Sequence, residues 1–313
     1  MLTPNNEKRD FIIKELKSHN FKVIPYLISN SFLTKLYSDS YENWFDIEQA
    51  YYQELKQLFL EEDTIGLKSL NKNLSEIRES FRDYLKGEIQ TSEDKDVYYS
   101  FTQHFENREN VTFINFNYTD TIKHYARLIN DSDLNIKRYL NIQIHGKLDE
   151  NIIFGYGDDA DEAYNEMKNS RVNEYLRNFK TFEYLKSSNY RKVMNELTIF
   201  DQYDCLVIGH SLDTTDKTIL KTILDNSKCI NIELLKRSDL TDYYEQKEAH
   251  FNLHANLSRI FSEEADLRAK LIPFEWSVHF PKLLSNDGHI LIKRGKELYK
   301  EPEKSGVVVR KKK

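Results

Sequence analysis

Cysteine is nearly absent from this chain, with only Cys205 and Cys229 among 313 residues. Two thiols cannot form a four-thiolate zinc site, and both lie in apolar runs, YDCLVIG and SKCINIEL, where they read as buried reduced thiols. Long hydrophobic runs are also missing. No stretch of about 18 apolar residues occurs, and MLTPNNEKRDF has no apolar segment of the kind a signal peptide needs. The expected location is the cytoplasm, with no membrane contact. Basic charge is not in excess either: 45 Lys and Arg stand against 51 Asp and Glu, for a formal net charge of −6. Coating nucleic acid requires concentrated Lys and Arg, so that role is disfavoured, and the C-terminal RKKK reads as a solvated tail.

What is present suffices for a folded core. Hydrophobic residues make up 39% and aromatic residues 13%, with 20 Tyr and 18 Phe, so burial can offset ordering entropy despite 31% charged residues. Apolar residues at three- and four-residue spacing predict helices in FIIKELKSHNF, DIEQAYYQELKQLFLEE and LNKNLSEIRESFRDYLKGEI. The pattern then changes. VTFINF, YLNIQIH, NIIFGY, DCLVIG and CINIEL are short runs with strand character, separated by helical stretches. Such alternation indicates a parallel sheet with crossover helices, whose function sits at the carboxyl ends of the strands.

The expected organisation is a mainly helical region at 1–106, an α/β nucleotide-binding core at 107–240 with a helical insertion at 158–198, and a helical and irregular segment at 241–313 with the basic tail. The insertion follows FGYG and is placed to cover a site. LTDYYEQKEAHFNLHANLSRIF reads as a long amphipathic helix, and LIPFEWSVHFPKLL as a packed terminal segment.

Nine glycines occur, and Gly146, Gly155, Gly157 and Gly209 fall in or beside the predicted strand ends, where they permit close backbone approach to a ligand. The chain runs from a strand into a polar turn at Asn115–Thr121, at Ile144-His145-Gly146 and at Gly209–Asp213. Asn117 carries a carboxamide able to hold a ribose or phosphate oxygen, and Thr119 or Asp120 can cap the helix that follows. An Asx turn at Asn117 and a simple cap at Asp120 are the alternative uses. His145 can serve as a general base near neutral pH, or sit as a satisfied core histidine. Around Gly209, backbone amides and the Ser211 hydroxyl can meet sugar or phosphate oxygens, while Asp213 or Thr214 caps the next helix.

In order, these turns are similar to the Asn-x-Asp-like turn, His-Gly pair and Gly-Thr-Ser turn of sirtuin-type NAD-binding domains, with His210 in place of the Thr. More closely, FNYTDTIKHYA, IHGKLDENIIFGYGDD and VIGHSLDTTDKTIL resemble blocks of the AbiH family of bacterial antiphage proteins, and NWFDIE at Asn43–Glu48 resembles its W-x-D-I-E segment. The resemblance implies a Rossmann-like, sirtuin-type parallel sheet with large helical insertions, acting in abortive infection by hydrolysing or sensing NAD. It implies that Asn117 orients the nicotinamide ribose and that His145 is the base or ribose-contacting histidine. Gly209 and Ser211 would contact the adenosine side, with Tyr118, Asp120, Gly146, His210 and Asp216 in the same ligand-binding set. One departure stands out: relatives begin with a strand and a glycine-rich G-N-G-F-D-like turn, whereas the nearest text here is LISNSFL at Leu27–Leu33. The expectation is that the numbered chain begins downstream of that strand. Without it, pyrophosphate binding would be impaired.

Other chemistries are weaker. HFNLH places His250 and His254 at i,i+4 spacing but lacks the Glu of H-E-x-x-H, so a polar helix face is expected. Asp158, Asp159, Asp161 and Glu162 read as a capping loop rather than a cation site. A nuclease, which could also execute abortive infection, needs Asp or Glu clustered with Lys across adjacent strands; no such cluster is evident, but Glu233 and Lys236 near CINIEL keep that class as an alternative. A non-catalytic interaction module, self-associating or bound to a defence-system partner through the helical first third and the helix near Tyr243–Phe261, is the third class.

Overall fold

The computed structural model describes residues 30–38, 44–88, 105, 108–119, 122, 136–237, 240 and 242–279. Asp120, the FIIKELKSHNF helix and the RKKK tail lie outside these residues, as does Leu27–Ile28–Ser29 of LISNSFL. The remainder of LISNSFL begins a helix, α1 (Ser31–Ser38), whose first turn is capped by Asn30 Oδ1 accepting from the Leu33 amide at 2.9 Å.

Two long helices follow, α2 (Trp44–Leu60) and α3 (Thr64–Glu88). Asp63 starts the second by accepting from the Gly66 amide at 2.9 Å, so it begins well before the predicted LNKNL segment. Tyr51, Tyr52, Leu55 and Leu58 on α2 and Leu67, Leu70, Leu74, Ile77 and Phe81 on α3 are buried at helical spacing. All but Phe81 form a helical core with Phe154, Tyr156 and Phe179 from the later chain, and the Phe81 ring lies 6.2 Å from that of Phe154. Tyr52 stacks on Tyr156 at 3.8 Å and meets Phe179 edge-on at 5.8 Å.

The second core is α/β. Strand β1 (Asn110–Asn115) pairs in parallel with β2 (Arg138–Gln143), and β3 (Tyr203–Val207) pairs in parallel with β4 (Cys229–Leu234). Each pair is a two-stranded sheet. Where one sheet was expected, the described residues show two small parallel ones, with Leu206 and Ile208 packing near Phe113 rather than continuing its ladder. NIIFGY does not become a strand. Its amides are spent elsewhere: Ile153 donates to His145 O at 2.8 Å, Tyr156 to Asn178 O at 3.2 Å, and Gly155 to the Glu48 carboxylate at 2.9 Å. With these donors meeting loops and a side chain, the segment forms no ladder beyond a single Tyr156–Phe179 bridge.

The stretch after Asp158 holds short helices, α4 (Glu162–Asn169), α5 (Lys180–Tyr184) and α6 (Asn189–Ile199). Helix α6 lies on β2, where Glu196 takes both Arg138 guanidinium nitrogens and Asn189 donates to Gln143 O at 2.7 Å. Helix α7 (Lys217–Leu224) connects β3 to β4 and buries Ile219, Leu220, Ile223 and Leu224. Helices α8 (Tyr243–Ile260) and α9 (Glu264–Lys270) close the core with Leu257, Ile260 and Leu267. Both thiols are free; Cys229 is buried, Cys205 is half-buried, and their sulfurs are 3.7 Å apart.

Candidate functional site

Three strand-end turns found in the sequence meet at one place. After β1, the Asn115 carboxamide closes the first turn, accepting from the Asn117 amide at 2.9 Å and donating to Thr119 O at 3.2 Å. Asn115, not Asn117, is therefore the Asx-turn residue, and Asn117 is left exposed. Phe116 sits edge-on to the rings of both His145, at 5.4 Å, and His210, at 4.2 Å. Tyr118 lies 6.1 Å from the His145 ring and donates its hydroxyl to Ile153 O at 2.9 Å.

His145 follows β2 and is buried. The chain turns at once through Gly146, whose φ of 80° is left-handed and whose missing Cβ leaves room for Asn151 O. After β3 the chain turns through Gly209, φ 65°, and through the buried Leu212, φ 59°. A leucine there costs about 1–3 kcal/mol, and such strain collects at functional sites. The turn is held because His210 Nδ1 accepts from the Leu212 amide at 2.8 Å. Ser211 is exposed, and its carbonyl accepts from Asn256 at 2.8 Å.

Asp213 caps the turn Thr214–Asp216 by accepting from the Thr215 amide. Asp216 stands at the N-cap of α7 but makes no side-chain cap bond. Its carboxylate is turned inward and collects donors from three elements: Lys180 Nζ at 2.8 Å, His145 Nε2 at 2.9 Å and, more distantly, His210 Nε2 at 3.5 Å. Lys180, the first residue of α5 and 1% exposed, also donates to Glu48 Oε2 of α2 at 2.9 Å. Glu48 Oε1 accepts from the Gly155 amide at 2.9 Å, and its neighbour Gln49 reaches Asp213 at 3.1 Å. The site thus lies on the seam between the helical core and the α/β core.

This geometry fixes the tautomers. Burial alone would raise the Asp216 carboxyl, but Lys180 and His145 hold it well below the usual carboxylate range, so it is an acceptor only. His145 must then carry its proton on Nε2. Burial also pushes the imidazole toward its neutral form, more strongly than Asp216 opposes it, which leaves Nδ1 as an open lone pair. The same reasoning puts the His210 proton on Nε2, since Nδ1 accepts from Leu212. Burial would lower the Lys180 ammonium, yet Asp216 and Glu48 raise it, so the cation is retained. Burial pushes Glu48 up to about 7, with Lys180 pulling it down. The Tyr118 and Tyr184 hydroxyls are held well above 10 by burial and then by the two carboxylates, and stay protonated.

A buried ammonium between two carboxylates is a poor device for stability, because desolvation consumes most of the attraction. Ionisable groups with opposed shifts in such a place make it the candidate functional site. Among the sequence-predicted residues, His145, Gly146, Tyr118, Gly209, His210 and Asp216 are brought together here, and Asn117 and Ser211 project from the same turns. Sequence reasoning missed Glu48, Lys180 and Tyr184. Glu48 stood inside the quoted NWFDIE motif, which was the available signal; Lys180 lies in a polar helical stretch that offers none.

The other candidates fall out differently. Asp161 caps α4 and accepts from Tyr52, while Asp158 pairs with Lys217 at 2.9 Å. Among the described residues no group of three or more His, Cys, Asp or Glu is placed to hold a metal ion. His250 is not on a polar helix face: it is 3% exposed, with its ring 4.9 Å from that of Phe274, because α8 turns this side toward the terminal segment. No helix of the described residues is long and apolar enough to cross a membrane.

Fold and site together define a mixed α/β protein with a buried acid–histidine–lysine cluster at the ends of parallel strands. The chain belongs to the bacteriophage abortive infection AbiH family, whose family model matches residues 7–236. The family assigns it to antiphage defence by abortive infection. No curated protein and no solved structure matches the chain.

Proposed function

We propose that this protein acts in abortive infection by binding and hydrolysing NAD at the strand-end site, on a Rossmann-like, sirtuin-related core. The observation that carries this reading is the convergence of the Asn117, His145 and Gly209-His210-Ser211 turns around Phe116 and Asp216. Hydrolysis breaks the bond between the ribose carbon and the nicotinamide nitrogen, whose electron pair leaves with nicotinamide. Water adds to the ribose carbon and loses a proton. The transition state carries positive charge on the ribose, so positioning and charge stabilisation matter more than a strong nucleophile.

Each residue then has a task. Asn117, exposed at the rim, holds the nicotinamide ribose. His145 offers Nδ1 to the attacking water or to a ribose hydroxyl, with Nε2–H anchored on Asp216. Above about pH 7, where Glu48 ionises, two carboxylates against one ammonium give the buried cluster a negative balance that favours the cationic centre. Gly209 and Ser211 meet the adenosine side, with Tyr118, Gly146 and His210 lining the same locus.

The test is NAD concentration in cells expressing the chain, before and after phage challenge, for wild type, His145→Gln and Asn117→Ala. A fall in NAD that both variants abolish supports the reading; unchanged NAD in cells that remain protected overturns it. A second reading, a module that works by binding a defence-system partner, is favoured by large exposed aromatics on α8 and beyond: Tyr244, Phe251 and Trp276 are 78%, 60% and 70% exposed. Stable partner capture with unchanged NAD would support it.

A further inference from the structure

The cluster contains two charged residues, Glu48 and Lys180, whose side-chain hydrogen bonds go to Gly155, to each other and to Asp216 rather than to His145, and they come from helices outside the four strands. We propose that Lys180 is a positioning residue that sets the protonation and tautomer of His145 through Asp216, with Glu48 anchoring its ammonium, so that the helical layer completes the α/β site. The inference rests on the reading of His145 as the site's base, but its test does not.

The geometry argues as follows. Asp216 Oδ1 receives both Lys180 Nζ, at 2.8 Å, and His145 Nε2, at 2.9 Å. One carboxylate oxygen shared by an ammonium and an imidazole N–H can hold the imidazole neutral only while the ammonium remains. If Lys180 were neutral or absent, Asp216 would be an isolated buried anion, and His145 would take a proton to compensate it. Lys180, 1% exposed, is anchored on its other side by the second carboxylate, Glu48, at 2.9 Å. Glu48 is fixed from its far side by the Gly155 amide, at the start of the chain that leads back to His145 through the Ile153 amide and His145 O. The sequence Glu48, Lys180, Asp216, His145 is therefore a continuous chain of charge-assisted hydrogen bonds from α2 to the end of β2.

The other titratable or charged groups facing His145 do not replace this chain. They are Tyr118 after β1, itself influenced by Arg78 on α3, Tyr184 on α5, whose hydroxyl lies 3.4 Å from Nε2, and His210. Both tyrosines stay protonated, and His210 is engaged by the Leu212 amide.

The experiment is nitrogen-15 NMR of the histidine-labelled full chain across pH, with His145 assigned by His145→Gln. In wild type, His145 is expected to be neutral near pH 7.5 with the proton on Nε2. Lys180→Met should raise its proton affinity by at least about tenfold, which is about one pH unit in its titration midpoint. Lys180→Met/Glu48→Gln should raise it in the same direction but less, and this double variant leaves no second unpaired carboxylate to oppose folding. Glu48→Gln alone keeps the ammonium and should not raise it. A purely structural role would weaken the fold in all three variants and leave the His145 titration in place. Unchanged titration in the double variant, or an equal rise in Glu48→Gln, would overturn the proposal. NAD consumption by the same proteins separates the two claims: titrations that shift as expected without NAD loss in wild type would sink hydrolysis and keep the positioning role, and His145-dependent NAD loss with unmoved titrations would do the reverse.

Discussion

Replacing Glu48 by Gln should change how stability depends on pH, and the sign follows from the site. Burial raises the Glu48 carboxyl from its ordinary 4.5 to about 7. An acid whose folded value lies above its unfolded value binds its proton more tightly in the folded state, so it costs stability progressively as pH rises from 4.5 to about 7. At about 1.4 kcal/mol per pH unit, that window corresponds to at most on the order of 3 kcal/mol, reduced by relaxation around Lys180. Gln has nearly the same shape and no charge. It keeps one of the two acceptor contacts and loses the other, for a roughly constant cost of about 1 kcal/mol. The expected result is that Glu48→Gln is slightly less stable than wild type at pH 5 and gains on it by about 2–3 kcal/mol by pH 8. Urea unfolding at both pH values, with the slope checked for constancy, measures this. A difference between variant and wild type that is the same at pH 5 and pH 8 would refute the placement of Glu48 as a desolvated acid, and with it the electrostatic account of the cluster.

Other outcomes are equally definite. His145→Gln and Asn117→Ala should each abolish protection against phage in a plaque assay; His145→Ala is a poorer probe, because the residue is buried and its removal leaves Asp216 short of a donor. Phe179→Ala, at a fully buried ring that joins Tyr52, Tyr156 and Tyr164, should cost about 3–5 kcal/mol in denaturant unfolding, whereas an exposed change such as Leu185→Ala should stay within about 0.5 kcal/mol. Burial, and then His254 and Lys236, push the buried His250 down from 6.5 to about 4, so the fold should lose stability as pH falls through that window. His250→Leu should flatten the acid limb of a thermal-melting profile between pH 6.5 and pH 4, and an unchanged profile would show that His250 is not a source of acid sensitivity.

The sequence by itself determined a good deal, because the signals were local. Helical spacing in DIEQAYYQELKQLFLEE and strand composition in VTFIN, YLNIQ, DCLV and CINIEL follow from burying one face of a periodic element, and those elements are found. The strand-end turns were legible for the same reason: Gly146 and Gly209 mark backbone reversals that only glycine takes without strain. NIIFGY misled, since an apolar run looks alike whether its amides pair with a strand or, as here, with loops and Glu48. What only the tertiary structure decided was the electrical character of the site. Glu48 and Lys180 are 132 positions apart and Lys180 and Asp216 are 36 apart, each in an ordinary polar stretch of helix or turn. No periodicity records that an ammonium will be enclosed between two carboxylates. That arrangement exists because the helical core and the α/β core close on one another, removing water from charges that would otherwise be solvated surface residues, and desolvation turns three common side chains into a unit that governs a histidine.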